Sequence, residues 1–315
     1  MFFSVVIPTY NRRPILEKCL RALEQQQLKT RLEGEAIEGY EVVLVDDGST
    51  DDTVAWLQRE AAQFPHVRLI QQDHGGPAEG RNRGVEQARG DVIVFIDSDL
   101  VVTEGFLAAH ATALAAHWRH SGNRLCFTYG AVINTANFES PSSEPHKLRD
   151  LSWAYFATGN VAIDRQVLET SGLFDTRFRL YGWEDLELGE RLRQLGVVLV
   201  RCPEAVGYHW HPALSLEQIP RLIQVERERA KMGLVFYRKH PTRRVRFIIQ
   251  FTLLHRLLWE LLTLGGLLNE RSLRPLLAWL IRRGKPGLAM ELLRLPLNRI
   301  GVRALFAEAR AEGLA

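Results

Sequence analysis

The run Val92–Ile96 is apolar on both faces and ends in two carboxylates one residue apart, Asp97 and Asp99. Two such groups side by side repel unless a hard cation neutralises them. Mg²⁺ or Mn²⁺, shared between carboxylates and substrate phosphates, is the natural candidate. Two other apolar runs end in polar residues. Ser4–Ile7 leads to Pro8-Thr9-Tyr10-Asn11, and Glu41–Val45 to Asp46-Asp47-Gly48-Ser49. A carboxylate there can accept from a base N–H or a ribose hydroxyl while a metal holds a diphosphate. The three ends together suit a nucleotide, although Asp46 and Asp47 alone also suit a turn or a helix start. Further along, Trp183-Glu184-Asp185 stands at a helix start, where a carboxylate also complements the helix dipole. His209 and His211 alternate, so on an extended segment they share one face.

The elements that must position these groups alternate in type over the first hundred residues. Strand patterns at Ser4–Ile7, Glu41–Val45, Val67–Ile70 and Val92–Ile96 are separated by helical ones. The first helix has Pro14 in its first turn and the stripe Ile15, Leu16, Cys19, Leu20, Leu23. A second is expected from about Asp52 to Phe64, capped by Ser49 or Thr50. A third follows Gly75-Gly76-Pro77 over Ala78–Ala88. This β-α rhythm predicts an α/β fold, a mostly parallel sheet with helices on both faces. In such a sheet the carboxyl ends share one edge, where open α/β sheets bind ligands. Beyond a helix over Glu104–Trp118 the rhythm changes. Strands are expected at Leu125–Ile133, Val161–Ile163 and, as the last, Val197–Val200, with a polar loop over Asn134–Asp150. Glu184–Gln194 reads as a helix with the stripe Leu188, Leu192, Leu195, and only helical patterns remain after about Ser215.

The chain of 315 residues is 46% hydrophobic and 24% charged, a globular composition. Its net charge of +3 conceals an asymmetry: residues 221–315 hold 19 Lys/Arg against 7 Asp/Glu, a net of +12, and residues 1–220 hold 21 against 30, a net of −9. The acidic part reads as a catalytic domain. The basic, leucine-rich part reads either as a solvated appendage or as a surface for anionic lipid. No apolar run reaches the roughly 18–20 residues a spanning helix needs, and Phe247–Leu268 is broken by Gln250, His255, Arg256 and Glu260. Cys19, Cys126 and Cys202 lack metal-ligand spacing and read as buried thiols of a reducing compartment. The opening MFFSVVIPTY lacks the basic n-region of a signal peptide and runs directly into a strand.

Three segments, SVVIPTYNR, VLVDDGSTDDT and GGPAEGRNRGVEQARGDVIVFIDSDL, together resemble a family 2 glycosyltransferase of the GT-A fold, in order and spacing over residues 3–104. TGNVAIDR and GLFDTRFRLYGWEDLELGERLRQLG resemble the acceptor-side segment of galactosyltransferase-like members. The likeness reaches to about residue 212. It departs at Leu28–Gly39, where the longer stretch should bulge at the surface without touching a motif.

The resemblance implies a GT-A domain over 1–214, with a nucleotide-sugar half at 1–104 and an acceptor half at 105–214, and a basic amphipathic helical extension over 215–315. Pro8 and Tyr10 would line the base pocket, Asp47 would hold a uracil-type base, and Asp46 would be structural or near the ribose. Arg81 would sit near the diphosphate or donor sugar, though an exposed helix charge is its plainer reading. Asp97 would touch the ribose or the metal, and Asp99 the metal directly. His209, with His211 as the other candidate, would add a ligand suited to Mn²⁺ rather than Mg²⁺. Asp185 would be the base, needing only its ionised form, with Glu184 binding sugar hydroxyls. Trp183 and Trp210 would stack on sugar faces or belong to the core.

The implied reaction is inverting, metal-assisted transfer from a nucleoside-diphosphate sugar, UDP-linked, to a saccharide or lipid-linked hydroxyl. The alternative is a catalytically inactive nucleotide-sugar-binding or scaffold subunit of the same fold. A dinucleotide oxidoreductase would need G-x-G-x-x-G after strand one, and a sugar nucleotidyltransferase a Gly-rich loop there; SVVIPTYNR offers neither. No nucleic-acid partner is expected. The implied setting is cytoplasmic, peripheral on the inner face of the cell membrane.

Overall fold

A computed structural model describes residues 1–28, 31–32, 35–145 and 154–314. The chain forms two compact units, Met1–Arg179 with Asp185–His211, and Leu180–Glu184 with Pro212–Ala315. The break thus lies at His211–Pro212, and the short segment Leu180–Glu184 groups with the C-terminal helices.

In chain order, the first unit contains β1 (Phe2–Thr9), α1 (Arg13–Glu24), β2 (Arg31–Leu32), β3 (Glu35–Ala36), β4 (Gly39–Asp46), α2 (Thr53–Arg59), β5 (Val67–Gln71), α3 (Pro77–Gln87), β6 (Val92–Ile96), β7 (Leu100–Val102), α4 (Phe106–Ser121), β8 (Cys126–Thr135), β9 (Asn160–Asp164), α5 (Arg165–Thr170), α6 (Glu184–Gln194), which begins at the break, and β10 (Val198–Trp210). Eight strands form one sheet in the order β5-β4-β1-β6-β9-β8-β10-β7. β9 and β7 run against their neighbours, and the other pairings are parallel. Period-two alternation divides the core. Phe3, Val5 and Ile7 of β1 face α1, α2 and α4, whereas Val6, Val43, Val45, Ile93 and Phe95 face α3, α5 and α6. Both faces are therefore covered, as a continuous apolar run such as Val92–Ile96 requires. All three cysteines are buried thiols.

The structure departs from the sequence reading at identifiable points. The last strand continues well past Val200: a register shift between Cys202 and Val206 absorbs Pro203, and pairing with β8 resumes through Trp210. A bulge of this kind breaks the alternation by which a strand is read. β7 was not anticipated, because three residues carry too little pattern. Ser49 and Thr50 do not cap α2. The Thr50 and Asp51 amides are held by Asn11 Oδ1 at 2.8 and 3.1 Å, and Asp51 Oδ1 accepts from the Thr53 amide instead. That helix ends at Arg59, followed by a 3₁₀ turn at Ala61–Gln63. α6 ends at Gln194, so Leu195 falls off its stripe and is exposed. In the stretch expected to bulge, Arg31–Leu32 pairs with Glu35–Ala36; residues 29–30 and 33–34 lie outside the described residues. Of the expected polar loop, Asn134 and Thr135 belong to β8, and 146–150 lie outside the described residues.

Beneath the sheet edge, α4 is bolted to three strands. His110 Nε2 donates to Asn160 Oδ1 at 2.9 Å and its Nδ1 meets Thr128 Oγ1 at 2.7 Å. Asn160 Nδ2 in turn donates to the Ala131 and Ala205 carbonyls, both at 2.9 Å. Burial, against the Asn160 hydrogen bond, pushes His110 from 6.5 down to about 4. A histidine held neutral in this way contributes stability that is complete above its unfolded-state pKa and lost as pH falls towards 4. A shift of that size corresponds to about 3 kcal/mol. His110→Gln should therefore flatten the loss of stability between about pH 7 and about pH 4.5, read from denaturant midpoints. An unchanged pH dependence would contradict this assignment.

The second unit is helical: α7 (Ile219–Lys239), α8 (Arg243–Ile248), α9 (Leu253–Leu262), α10 (Arg274–Arg282) and α11 (Pro286–Ala311). Its core includes Leu214, Ile219, Leu277, Leu280, Leu293 and Leu297. Among the described residues, no helix is long and apolar enough to cross a membrane.

Candidate active site

The carboxyl edge of the sheet gathers the side chains of interest, and its construction can be followed from the backbone. After β6 the chain turns within Asp97-Ser98-Asp99, with the Leu100 amide donating to the Asp97 carbonyl at 3.0 Å. β7 then runs antiparallel to β10, pairing Leu100 with His209, and the Trp210 amide donates to the Asp99 carbonyl at 2.9 Å. This ladder sets His209 beside Asp99, two residues separated by over a hundred in sequence. Nε2 of His209 lies 2.8 Å from Asp99 Oδ1 and 3.9 Å from Asp97 Oδ2. His211 follows on the same face, its ring centroid 4.1 Å from that of His209. One ligand atom from each of Asp99, His209 and His211 lies within 4.8 Å of the others.

The electrostatics of this cluster are those of groups competing for one small volume. Burial raises Asp99, yet the hydrogen bond and charge of His209, with Arg12, hold its carboxyl below the ordinary value. Burial also works against the His209 cation, but Asp99 and Asp97 together raise it above an ordinary imidazole. Burial, then the charge of His209, drives His211 down to about 4, so it is neutral near pH 7. One anionic carboxylate with a neutral imidazole and a second that can shed its proton form a donor set suited to Mn²⁺ or a similar borderline cation.

Two arginines frame the acids. Nη1 of Arg12 lies 3.3 Å from Asp99 Oδ2. Buried Arg81 lies 3.2 Å from Asp97 Oδ1, with its guanidinium 5.6 Å over Phe174. It is not the exposed helix charge of its plainer reading. α3 can bring it there because Gly80 and Gly84 pass against β1; a Cβ at Gly84 would lie 2.3 Å from Val6 Cγ1, and one at Gly80 3.2 Å from Pro8 Cβ. Gly80 and Gly84 of GGPAEGRNRG are therefore a packing requirement for placing Arg81.

At the ends of β1 and β4 a second group forms. Asp47 is buried, and its carboxylate accepts from the Gly75 and Gly76 amides, both at 2.9 Å, and from Gln72 Nε2 at 2.7 Å. His74 Nδ1 stands 2.8 Å from the same carboxylate and its ring 4.5 Å from that of Tyr10, which is exposed. Asp47 thus organises the loop that leads into α3. Asp46 Oδ2 accepts from the Ser49 amide at 3.2 Å, while its Oδ1 is buried with no hydrogen-bond partner among the described residues. Pro8 and Tyr10 complete this edge.

At the start of α6, Asp185 is half-buried and its Oδ1 accepts from the Leu186 amide at 2.7 Å. Trp183 and Glu184 group with the helical unit. Nε1 of Trp183 donates to the Arg229 carbonyl at 2.7 Å, and the Arg229 guanidinium lies 4.9 Å over its ring. The Trp210 ring packs edge-on against Phe138 at 5.4 Å. Sequence reasoning anticipated Asp97, Asp99, His209 and Arg81 at one place. It gave Arg12 and His74 no role, and it set Asp97 ahead of His211 beside the metal. Here His211 completes the three-residue cluster and Asp97 turns to Arg81. Only the basic residue after Tyr10-Asn11 could have signalled Arg12.

A family model described as Glycosyl transferase family 2 matches residues 4–172. The uncharacterized glycosyltransferase YfnE of Bacillus subtilis (strain 168) is 26% identical over 266 residues, covering 67% of this chain and 65% of that protein. The validoxylamine A glucosyltransferase of Streptomyces hygroscopicus subsp. jinggangensis is 28% identical over 273 residues, covering 76% and 61%. The chain spans less than two thirds of the length of each. Among solved structures, a mannosyltransferase from Pyrobaculum calidifontis in complex with GDP-Man and Mn²⁺ superposes with a TM-score of 0.60 at 20% identity, over 98% of this chain and 87% of that one. Staphylococcus aureus TarS 1–349 in complex with UDP-GlcNAc gives 0.50 at 16%, over 99% and 92%. At such identities the likeness speaks to the fold, and the fold is GT-A. With the family pattern matched over more than half its length, the chain belongs to glycosyl transferase family 2, a family of sugar-transferring enzymes.

Proposed function

We propose that the chain transfers a sugar, with inversion and with a divalent cation, from a nucleoside-diphosphate donor to a hydroxyl of a saccharide or lipid-linked acceptor. The observation that carries this reading is the cluster of Asp99, His209 and His211 at the carboxyl edge of the sheet, beside Asp97, Arg81 and Arg12. Asp99 and His209, with His211, would hold Mn²⁺ or Mg²⁺, which supplies Lewis-acid neutralisation of the leaving diphosphate. Arg12 and Arg81 place positive charge next to the same acids and orient them. Tyr10 and Pro8 line the base side, with Asp47 holding the loop or base edge and Asp46 near the ribose. UDP is the expected nucleotide. Residues 1–104 form the donor half and 105–214 the acceptor half, with 215–315 as the helical extension.

Asp185 takes the proton of the acceptor hydroxyl as the new bond forms, and its helix-start position favours the ionised carboxylate this requires. Glu184 binds sugar hydroxyls, and Trp183 and Trp210 border the acceptor. The excess of arginine in the helical unit draws the enzyme to anionic membrane at the cytoplasmic face, where a lipid-linked acceptor would lie. A thermal-shift screen of nucleotide sugars in Mn²⁺ identifies the donor, and proton NMR of the new anomeric centre tests the geometry. An α-linked donor should give a β-linked product; an α-linked product would overturn inversion.

A further inference from the structure

α9 is amphipathic in the inverted sense. At about 100° per residue, Leu253, Leu254, Leu257, Leu258, Leu261 and Leu262 fill one half of its helical wheel. All six are between 41% and 71% exposed. The apolar face continues through Leu264 and Leu267, 58% and 73% exposed. It is the polar half that packs inward. Glu260 is held by Arg299 Nε at 3.0 Å and Arg303 Nε at 2.7 Å on α11. Arg256 lies 5.5 Å over the Phe306 ring, Trp259 Nε1 donates to Gln250 Oε1 at 2.6 Å, and Thr263 is fully buried. These ion pairs fix the rotation of the helix, so the leucines cannot turn into the core without unpairing Glu260.

An apolar face of this extent calls for a cover. Its surroundings decide which. Between residues 243 and 288 there are nine Lys/Arg against two Asp/Glu, and one of the two acids is the inward-facing Glu260. Arg243, Arg244, Arg271, Arg282 and Arg283 are exposed. The chain on either side of this face is basic, a charge that anionic lipid headgroups neutralise and a second, equally basic copy does not.

We infer that α9 and the turn after it form an in-plane membrane anchor, with the leucine face in the headgroup–acyl boundary of an anionic bilayer and the arginines on lipid phosphates. The helix rises about 15 Å over its ten residues, enough to lie in the interface and too short to cross. This deepens the proposed charge attraction, on which it rests for the approach to the surface, and assigns the hold to apolar insertion.

Flotation of the full chain with vesicles of phosphatidylcholine and phosphatidylglycerol tests it. Once bound, the protein should stay on the vesicles at about 1 M salt, where charges are screened within about 3 Å. Leu253→Ser, Leu254→Ser, Leu257→Ser and Leu261→Ser combined should lower vesicle binding by at least about tenfold, while sugar transfer to a soluble acceptor is unchanged. Because a multiple variant can misfold, Leu257→Cys carrying an environment-sensitive dye gives an independent reading, a blue shift on adding vesicles. Full release of the wild type by salt, or wild-type binding by the serine variant, overturns insertion while leaving the charge attraction standing. An unshifted dye overturns it also. A wild type that stays off vesicles and forms a dimer dissolved by the serine changes assigns the face to a second copy instead.

Discussion

Asp99→Asn should lower metal-dependent sugar transfer by about a thousandfold or more, the scale expected when a cation that neutralises a leaving diphosphate loses its anionic ligand. The change keeps the shape of the side chain and its ability to accept from His209 Nε2, now 2.8 Å from Asp99 Oδ1. It removes the charge that raises His209 and that Arg12 faces. The fold should therefore survive while Mn²⁺ affinity collapses. Electron paramagnetic resonance of free Mn²⁺, titrated against wild type and variant without any nucleotide, separates the metal site from turnover. Equal Mn²⁺ binding by the two proteins would remove Asp99 from the metal site whatever the assay of activity showed.

Asp185→Asn should act at a different step. Losing a general base costs about 10²- to 10⁴-fold in rate, and the amide has no means of taking the acceptor proton. Donor and metal binding should be unaffected, so kcat falls while the nucleotide Kd stays at the wild-type value. Asparagine can still accept from the Leu186 amide, which holds the side chain at the start of α6. Release of nucleoside diphosphate at the wild-type rate would eliminate Asp185 as base. A loss of nucleotide affinity equal to the loss of rate would place it on the donor instead.

The carboxyl edge of the sheet was legible because its signals are local. Val92–Ile96 is wholly buried, as an apolar run in a parallel sheet should be, and the carboxylates that end it lie at the sheet edge. The stripe of α1 is buried at every expected position. α6 spans the expected residues, Glu184–Gln194. What the sequence hides is non-local or irregular. Asp99 meets His209 only because β7 and the far half of β10 pair, and the bulge at Cys202–Val206 conceals that half of the strand. Arg81 reads equally as a group near the diphosphate and as a surface charge until Gly80 and Gly84 are seen to let α3 settle on β1. The leucines of α9 carry a helical pattern that implies burial, and the pattern is blind to direction. The Glu260 ion pairs to Arg299 and Arg303, with buried Thr263, show that the other half of the helix faces the protein.

The cluster at the sheet edge should make sugar transfer depend on a divalent cation. The most direct test is release of nucleoside diphosphate from a panel of UDP- and GDP-sugars, measured with Mn²⁺ and again with excess chelator. One class of donor should be turned over with Mn²⁺, and the chelator should abolish release, with Mn²⁺ restoring it. Full turnover in chelator would contradict the metal-dependent account. Nucleotide binding without release from any donor would instead leave a binding subunit of this fold.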